Sequence, residues 1–256
     1  MTIDGAGNIY IADEGNIVVR KITAAGIIST FAGTGVVGFS GDGGPATAAR
    51  LADAYDIEVD GSGNVYIVDG QNMRIRKVNP SGIISTFAGD GYQGFSGDGG
   101  PATAARLKWP ESIAIDDAGN VYVADEANNR IRKIDNAGII TTFAGTGVAD
   151  GSGEGGPAVS AGIMYPTSIS FDRYGNLYIS EDNSRIHKVS AAGIITAFAG
   201  YDDTTGFSGD GGLAINARFN GPFKVAVDND MNVYIPDFFN HRIRKVNGIP
   251  PLKLQI

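Results

Sequence analysis

One unit is repeated along this chain five times with small edits. The clearest copy runs from Gly63 to Arg106 and reads GNVYIVDGQNMRIRKVNPSGIISTFAGDGYQGFSGDGGPATAAR. Its Gly-Asn opening recurs every 56 residues, at Gly7, Gly119, Gly175 and, as Met-Asn, at Met231. A uniform repeat without linkers predicts that each copy is one structural unit that packs on its neighbours. We therefore expect a single domain over residues 1–256.

Each copy contains four short segments with the alternation and β-branched content of strands. In the second copy these are Tyr55–Asp60, Val65–Val68, Arg74–Val78 and Ile83–Phe87. The connectors, such as Asp-Gly-Ser-Gly-Asn, are too short for anything except hairpins. The best helical candidate, Pro101–Leu107, is short enough to be one turn only. Four antiparallel strands repeated in this way predict the blades of an all-β propeller.

Composition excludes several partners. With 28 acidic and 20 basic residues the formal net charge is -8, so a phosphate backbone would be repelled on average. The sequence has no cysteine, which excludes disulfides and thiolate metal ligands. No apolar run approaches the roughly 20 residues that span a bilayer, and the first residues do not read as a signal peptide. We expect no nucleic-acid partner, no membrane insertion and an extracellular or periplasmic location, with any export signal removed or never present.

The core of the repeat resembles a known family. The pattern Gly-Asn-x-Tyr-Ile-Ala-Asp, followed by Asn-x-Arg-Ile-Arg-Lys-Val, is joined by FAGTG and GFSGDGGPATAA and resembles the NHL-repeat β-propellers over nearly the whole chain. The matching positions are Asp13, Asn16, Asp69, Asn72, Arg74, Asp125, Asn128, Arg130, Asp237, Asn240 and Arg242. The resemblance implies the propeller fold and says little about function. Family members usually have six blades, so the chain is either a five-bladed propeller of about 56 residues per blade or an incomplete six-bladed one; its last residues, GIPPLKLQI, depart from the repeat.

An aspartate and an arginine flank the second hairpin of several copies. The pairs are Asp69 with Arg74, Asp125 with Arg130, and Asp237 with Arg242. Since residues that recur once per repeat usually serve the repeat, we expect hairpin-locking ion pairs and no catalytic acid. The first copy has Val18 at the arginine position, which leaves Asp13 and Glu14 without that partner.

Glycine-rich loops connect the copies and carry an acidic residue at the same position of each: Asp42, Asp98, Glu154 and Asp210. They lack the lysine of a phosphate loop and the several oxygen ligands of a calcium loop. We expect these aspartates to close turns, and we expect Phe39, Phe95 and Phe207 to be plugs that anchor the connection between blades.

Asp228, Asp230 and Asn232 have alternate-ligand spacing, but Val233 stands where a calcium loop needs glycine. His187 replaces an arginine of the Arg-Ile-Arg-Lys pattern and is expected to be a strand residue.

The copies differ most where the first strand of each begins. Residues that a blade needs should recur, whereas residues that a ligand needs can differ between copies. In propellers this strand lines the central channel, so these positions and the second-hairpin turns should share one face. The candidate ligand-binding residues are Asp53, Tyr55, Asp56, Trp109, Glu111, Tyr165, Phe223, Lys224, Phe238, Phe239 and His241. The alternative is that the large side chains merely plug the channel.

Three functions remain open from the sequence. The first is a non-enzymatic binding or scaffold propeller that presents one face to a protein, peptide or glycan, with aromatic contact area and polar groups for orientation. The second is a metal-assisted lyase or lactonase, because the resemblance extends to propellers with those activities; Asp53, Asp56, Glu111 and His241 would then hold calcium or zinc at the channel mouth. The third is a purely structural propeller fragment. No other cofactor is expected.

Overall fold

The computed structural model describes residues 1–182, 184–201 and 204–248. Within these ranges it contains five antiparallel sheets, and its helices are single 3-10 turns. The chain divides into two compact units, Met1–Phe143 and Ala144–Ile256. Sheets one to three belong to the first unit and sheets four and five to the second. The single-domain organisation stays a prediction.

Each sheet is one copy of the repeat, with its strands in sequential order. The first blade has β1 (Thr2–Ile3), β2 (Ile9–Asp13), β3 (Val18–Ile22) and β4 (Ile28–Ala32). The second has β5 (Ala54–Val59), β6 (Val65–Asp69), β7 (Arg74–Val78) and β8 (Ile84–Ala88). The third has β9 (Pro110–Ile115), β10 (Val121–Asp125), β11 (Arg130–Ile134) and β12 (Ile140–Ala144). The fourth has β13 (Pro166–Phe171), β14 (Leu177–Glu181), β15 (Ile186–Val189) and β16 (Ile195–Ala199). The fifth has β17 (Ala226–Val227), β18 (Val233–Asp237) and β19 (Arg242–Val246).

This arrangement confirms the predicted fold class, an all-β propeller of antiparallel blades in five repeats. The sequence placed the strands of the second copy to within one residue at each end. The departure of the last residues from the repeat concerns residues 249–256, which lie outside the described residues.

Short 3-10 turns mark two places in the repeat. One follows the second strand, and the other lies in the connection between blades, where Pro101–Leu107 was the helical candidate and a single turn is found. The first set comprises Glu14–Asn16, Gly70–Asn72, Glu126–Asn128 and Phe238–Asn240. The second set comprises Ala46–Ala48, Ala102–Ala104, Ala158–Ser160 and Ala214–Asn216.

The core lies between neighbouring sheets of the same unit. Val19, Leu51 and Ile67 belong to the buried cluster between the first and second blades. A second cluster joins the second and third blades, and a third joins the fourth and fifth. Strand β6 is buried along its whole length, as expected for a strand covered on both faces. This packing holds the turns at the strand ends in fixed positions.

The first hairpin of each blade is closed by an aspartate. Asp60 accepts hydrogen bonds from the backbone N–H groups of Ser62 and Asn64, from Asn64 Nδ2 at 2.7 Å and from the Tyr66 hydroxyl at 3.3 Å. Asp228 has the same arrangement with Asp230, Asn232 and Tyr234. The spacing that resembled a calcium loop therefore belongs to the turn that every blade uses.

Candidate functional site

The second hairpin is locked by a buried ion pair, but the arginine is not the predicted one. Asp69 Oδ2 lies 3.3 Å from Arg76 Nη1, and both side chains are fully buried. Arg74 instead donates to the backbone carbonyl of Asp90 at 2.7 Å and stacks on the ring of Phe39. The predicted pairing of Asp69 with Arg74 is therefore wrong by two residues. The two residues do oppose each other across the strands, but the loop after the fourth strand holds the Arg74 guanidinium away from the carboxylate.

The buried arginine also binds the glycine-rich loop that precedes its blade. Arg76 Nη2 lies 2.5 Å from Asp42 Oδ1, and the other Asp42 oxygen accepts from Thr86 Oγ1 at 2.7 Å. We call Asp69, Arg76 and Asp42 an arginine latch. Asp42 thus joins loop to blade, which corrects the expectation that it closes its own turn. The ring of Phe39 is exposed along one side and lies against the guanidinium groups of Arg74 and Arg76. Phe39 therefore covers the latch and is not a buried plug.

The same latch recurs in two other blades. Asp125, Arg132 and Asp98 form it in the third blade, and Asp237, Arg244 and Asp210 in the fifth, with the loop contacts at 2.6 Å. Here too the arginine two residues further on, Arg132 or Arg244, pairs with Asp125 or Asp237 in place of the predicted Arg130 or Arg242. Phe95 and Phe207 lie over the arginines as Phe39 does. Burial raises the pKa of Asp125 to about 6, against the lowering effect of Asn128, Lys108 and Arg132.

The fourth blade contains a histidine latch in the same place. His187 Nδ1 lies 2.5 Å from Glu181 Oε1, and its Nε2 lies 3.3 Å from Glu154 Oε1. His187 lies in β15 and is almost fully buried, which confirms that it is a strand residue. Its two carboxylate partners were not predicted from the sequence. Burial opposes the charged imidazole, but the hydrogen bonds and charges of Glu181 and Glu154 raise the pKa of His187 above its ordinary value of 6.5. Aligning the copies could have identified this cluster, because all three substitutions fall at latch positions.

In the second to fifth blades, the start of the first strand is hydrogen-bonded to the second-hairpin turn. The backbone N–H of Gly70 donates to the Asp53 carbonyl at 3.1 Å, and that of Glu126 to the Trp109 carbonyl at 3.2 Å. Phe238 and Gly221 make the same contact. The two regions therefore form one continuous surface in each of these four blades, which we call the turn surface of that blade.

The variable position at this surface has an unusual backbone conformation. Asp53, Trp109 and Tyr165 have φ values of 56°, 51° and 46°, and Gly221 has 69°. A left-handed conformation favours glycine and is strained for bulky side chains. A glycine at these positions, as at Gly221 of the fifth blade, would relieve the strain, so local geometry does not account for the side chains of Asp53, Trp109 and Tyr165. Sequence patterns gave no sign of this feature.

The turn surface of the first unit is acidic and aromatic. Tyr55 lies over Gly70, where any side chain would collide with its ring. Burial, and then the carboxylates of Glu111 and Asp53, raise the pKa of Tyr55 to about 12. Trp109 is partly exposed, with its backbone N–H donating to Met73 Sδ at 3.3 Å.

Asp56 differs from the other candidates of the first unit. It is almost fully buried, and it accepts hydrogen bonds from Ser112 Oγ at 2.7 Å and from the Ile113 N–H at 3.3 Å. Asp56 thus connects two neighbouring first strands. Two residues further on, burial and the nearby charge of Asp56 raise the pKa of Glu58 to about 7. Glu58 was not among the residues selected from the sequence.

The turn surface of the second unit is dominated by phenylalanine. Phe223, Phe238 and Phe239 pack edge to face, with ring centroids 5.2–5.7 Å apart. Phe238 and Phe239 remain 59% and 55% exposed. Gly221 permits this cluster, because a Cβ there would lie 2.8 Å from the Phe239 ring. The remaining candidates of this unit, Tyr165, Lys224 and His241, are also exposed.

The candidate metal ligands do not form a centre within the part of the chain that the structure describes. No group of three or more His, Asp or Glu side chains is arranged there to hold a metal ion. Among the same residues, no helix is long and apolar enough to cross a membrane.

Comparison with known proteins confirms the resemblance seen in the repeat. A family model described as the Teneurin NHL domain matches residues 38–96 and 91–150. Teneurin-4 of Mus musculus is 30% identical over 284 residues, which is 96% of this chain and 10% of that protein. Teneurin-3 of Danio rerio is 33% identical over 240 residues, which is 82% of this chain and 9% of that protein. The chain thus spans about a tenth of the length of the curated relatives that it matches.

Solved structures share the fold at low sequence identity. Virginiamycin B lyase from Staphylococcus aureus has a TM-score of 0.58 at 16% identity, over 98% of this chain and 69% of the lyase. An auxiliary nutrient binding protein from Bacteroides thetaiotaomicron has a TM-score of 0.61 at 16% identity, over 95% of this chain and 67% of that protein. These two likenesses show the fold alone. Together with the teneurin matches, the fold supports a binding or scaffold propeller.

Proposed function

Since the chain is an NHL-repeat β-propeller, we propose that it is a non-enzymatic binding domain that takes a protein or peptide partner on its turn surface. The observation that carries this proposal is the exposed cluster of Phe223, Phe238 and Phe239 in the fifth blade. Contiguous exposed aromatic groups in a soluble protein commonly mark interaction sites.

The blade itself does not require these rings. The corresponding turn carries Gly70 and Gln71 in the second blade and Glu126 and Ala127 in the third, and both turns have the same 3-10 conformation. Two phenylalanines more than half exposed therefore add apolar surface that the fold could omit. Lys224 and His241 lie near them in sequence and are exposed, so they would orient a partner from the rim of the cluster.

The geometry of the cluster favours an apolar side chain over a sugar. Phenylalanine has no hydroxyl to exchange hydrogen bonds with a glycan. The rings also stand at 61–85° to one another, which gives edges and clefts and no flat stacking platform. Aliphatic or aromatic side chains of a peptide fill such clefts well.

A peptide-display library selected on the intact protein tests this proposal. Peptides enriched on the wild type should bind the double variant Phe238→Ala/Phe239→Ala at least about tenfold more weakly. Tyr174→Ala is the matched control, because Tyr174 is an aromatic side chain of the same unit, 53% exposed and outside the cluster. Equal binding to both variants would refute the proposed site, and selective capture of glycans on an array would assign the cluster to sugars.

For the first unit we propose a separate binding surface formed by Asp53, Tyr55, Trp109 and Glu111, with Asp56 as a buried support. Trp109 is the only tryptophan in the chain, so its fluorescence reports on this surface alone. Acrylamide should quench it in the free protein, because the side chain is partly exposed. A selected peptide that protected Trp109 would support the assignment, whereas quenching as weak as that of a buried indole would favour the plug interpretation.

We also propose an extracellular or periplasmic location for this domain. The support is the similarity to teneurins, and one further solved structure with this fold is described as the extracellular domain of a one-component system from B. thetaiotaomicron. Protease digestion of intact source cells should remove the domain, and complete protection until the cells are lysed would contradict the proposal.

A further inference from the structure

The second-hairpin turn of the second blade contacts two aromatic residues of the binding surface proposed for the first unit. At the start of the turn, Gly70 lies against the ring of Tyr55. At its end, Met73 Sδ accepts a hydrogen bond from the backbone N–H of Trp109 at 3.3 Å. Tyr55 belongs to the same blade as the turn, whereas Trp109 directly precedes β9 of the next blade. We call residues 70–73 the aromatic support.

The backbone of the aromatic support is held on several sides. The Met73 N–H donates to the Gly70 carbonyl at 3.0 Å, and Asn72 Nδ2 donates to the Gly38 carbonyl of the preceding loop at 2.8 Å. The Met73 carbonyl packs against Gly89, where any Cβ would collide with it. A turn held in this way can give a defined position to the residues that rest on it.

Gly70 makes room for the ring of Tyr55. The equivalent turns begin with Glu14 in the first blade, Glu126 in the third and Phe238 in the fifth, so the 3-10 conformation accepts a side chain at this position. Gly70 is not among the residues with positive φ, so its own backbone does not require glycine. A Cβ at Gly70 would instead collide with the Tyr55 ring. Glycine at this position therefore serves the neighbouring ring and not the turn.

Met73 restrains the backbone of Trp109. Trp109 has a φ of 51°, a conformation that is strained for a bulky side chain and persists only where its surroundings enforce it. The Trp109 carbonyl accepts a hydrogen bond from the Glu126 N–H of its own blade at 3.2 Å. Met73, which is 3% exposed, supplies the second restraint from the neighbouring blade. Both polar groups of the Trp109 backbone are thus held.

The preceding junction between blades is built without this contact. Ile17 has the position of Met73 in the first blade, with a φ of 56° against 52°. Its hydrocarbon side chain cannot accept a hydrogen bond from Asp53, which has the position of Trp109. Asp53 is held instead through its carboxylate, which accepts from Gln71 of the same blade. A thioether is therefore not needed to join two blades, and it occurs here next to the tryptophan.

We propose that Gly70 and Met73 are positioning residues of the first-unit binding surface, with Gly70 acting through Tyr55 and Met73 through Trp109. Their role in ligand binding rests on the proposed function of that surface, whereas the positions of the two rings in the free protein do not. Aromatic groups that are already in place bind a ligand with a smaller loss of conformational freedom than groups that the ligand must order.

Trp109 fluorescence tests the role of Met73 without a ligand. Met73→Leu keeps an apolar side chain and removes the acceptor, so the emission maximum should move to longer wavelength and acrylamide should quench more strongly. Met73→Gln retains an acceptor and should stay closer to the wild type. Ile17→Leu is the matched control, because it changes the same position of the first blade. Identical emission and quenching in Met73→Leu and Ile17→Leu would overturn the role of Met73.

Urea unfolding tests the role of Gly70. Gly70→Ala should lower the midpoint in the wild-type background, because its Cβ collides with the Tyr55 ring, and should lower it far less in a Tyr55→Ala background. Gly15→Ala is the control, because a Cβ at this glycine of the first-blade turn meets nothing within 4 Å. An equal loss in both backgrounds would show that Gly70 serves the turn itself and would overturn its assignment.

A selected peptide that protects Trp109 connects both roles to binding. Met73→Leu and Gly70→Ala should each weaken its binding about two- to tenfold, the range expected for one lost hydrogen bond. Ile17→Leu and Gly15→Ala should leave it unchanged. Full affinity for Met73→Leu and Gly70→Ala would overturn their role in binding. If no selected peptide protected Trp109 while the emission and the midpoints changed as expected, the binding surface would be refuted and the positioning of the rings would stand.

Discussion

The third and fourth blades solve the same structural problem with different chemistry. In the third, Arg132 bridges a buried aspartate and a loop aspartate, and Phe95 covers it. In the fourth, His187 bridges two glutamates, and Gly151 stands where the aromatic cover would be. A guanidinium keeps its charge at every physiological pH, whereas an imidazole does not. One repeat can therefore hold its loops permanently in one blade and conditionally in another.

The largest expected effect comes from removing the permanent charge. Arg132→Met leaves Asp125 buried without its partner, which should cost about 3–5 kcal/mol of unfolding free energy. Trp109 lies in the same unit, so urea unfolding followed by its fluorescence reports the change. Arg50→Met is the control, because Arg50 is an exposed arginine of the same unit. Equal midpoints for the two variants would mean that the buried pair contributes little.

The stability that the histidine latch contributes should depend on pH, unlike that of the arginine latches. The pKa of His187 is raised in the folded chain, so its stabilisation is complete below its ordinary pKa of 6.5 and is lost as pH rises through the folded value. Over that window the slope can reach about 1.4 kcal/mol per pH unit. His187→Gln should remove the slope, and hydrogen exchange of Leu177–Val189, measured across the window in both proteins, provides the reading. If exchange protection of this segment depended on pH equally in the wild type and in the variant, the assignment would be contradicted.

The spacing of the repeat predicted the blades, whereas the ion-pair partners of the latches could not be predicted from the sequence. The strand limits followed from alternation and short connectors, which are local properties. The pairing of Asp69 with Arg74 failed because both arginines of Arg-Ile-Arg lie on one face of the strand, and only the loop that holds Arg74 decides between them. The Phe238 turn was found because it differs from the other copies, whereas the positive φ of Trp109 leaves no mark in the sequence.

The aromatic cover should contribute less than the charge that it covers. Phe95 lies 3.8 Å from the Arg130 guanidinium and 4.7 Å from that of Arg132. Phe95→Ala should therefore cost about 0.5–2 kcal/mol, the range for cation–π contacts between exposed and desolvated sites. Urea unfolding followed by Trp109 fluorescence measures it, with Tyr92→Ala as an exposed aromatic control in the same unit. A loss as large as that of Arg132→Met would show that the cover also holds the loop.

The smallest change in stability should come from substitution of the exposed acid of each latch. These substitutions also distinguish the arginine latch from the histidine latch most clearly. The Asp98 side chain is 39% exposed, and Asp98→Asn should cost about 0.2–1 kcal/mol at any neutral pH because Arg132 cannot lose its proton. Glu154 is similarly exposed at 42%, but it raises the pKa of His187, so Glu154→Gln should also move the pH midpoint of the histidine latch downward. Arg185 lies 3.7 Å from Glu154 and opposes the charged imidazole once that carboxylate is removed, which adds to the shift. Hydrogen exchange of Leu177–Val189 against pH measures the midpoint, and an unchanged midpoint would leave Glu181 as the sole acid that sets the His187 pKa.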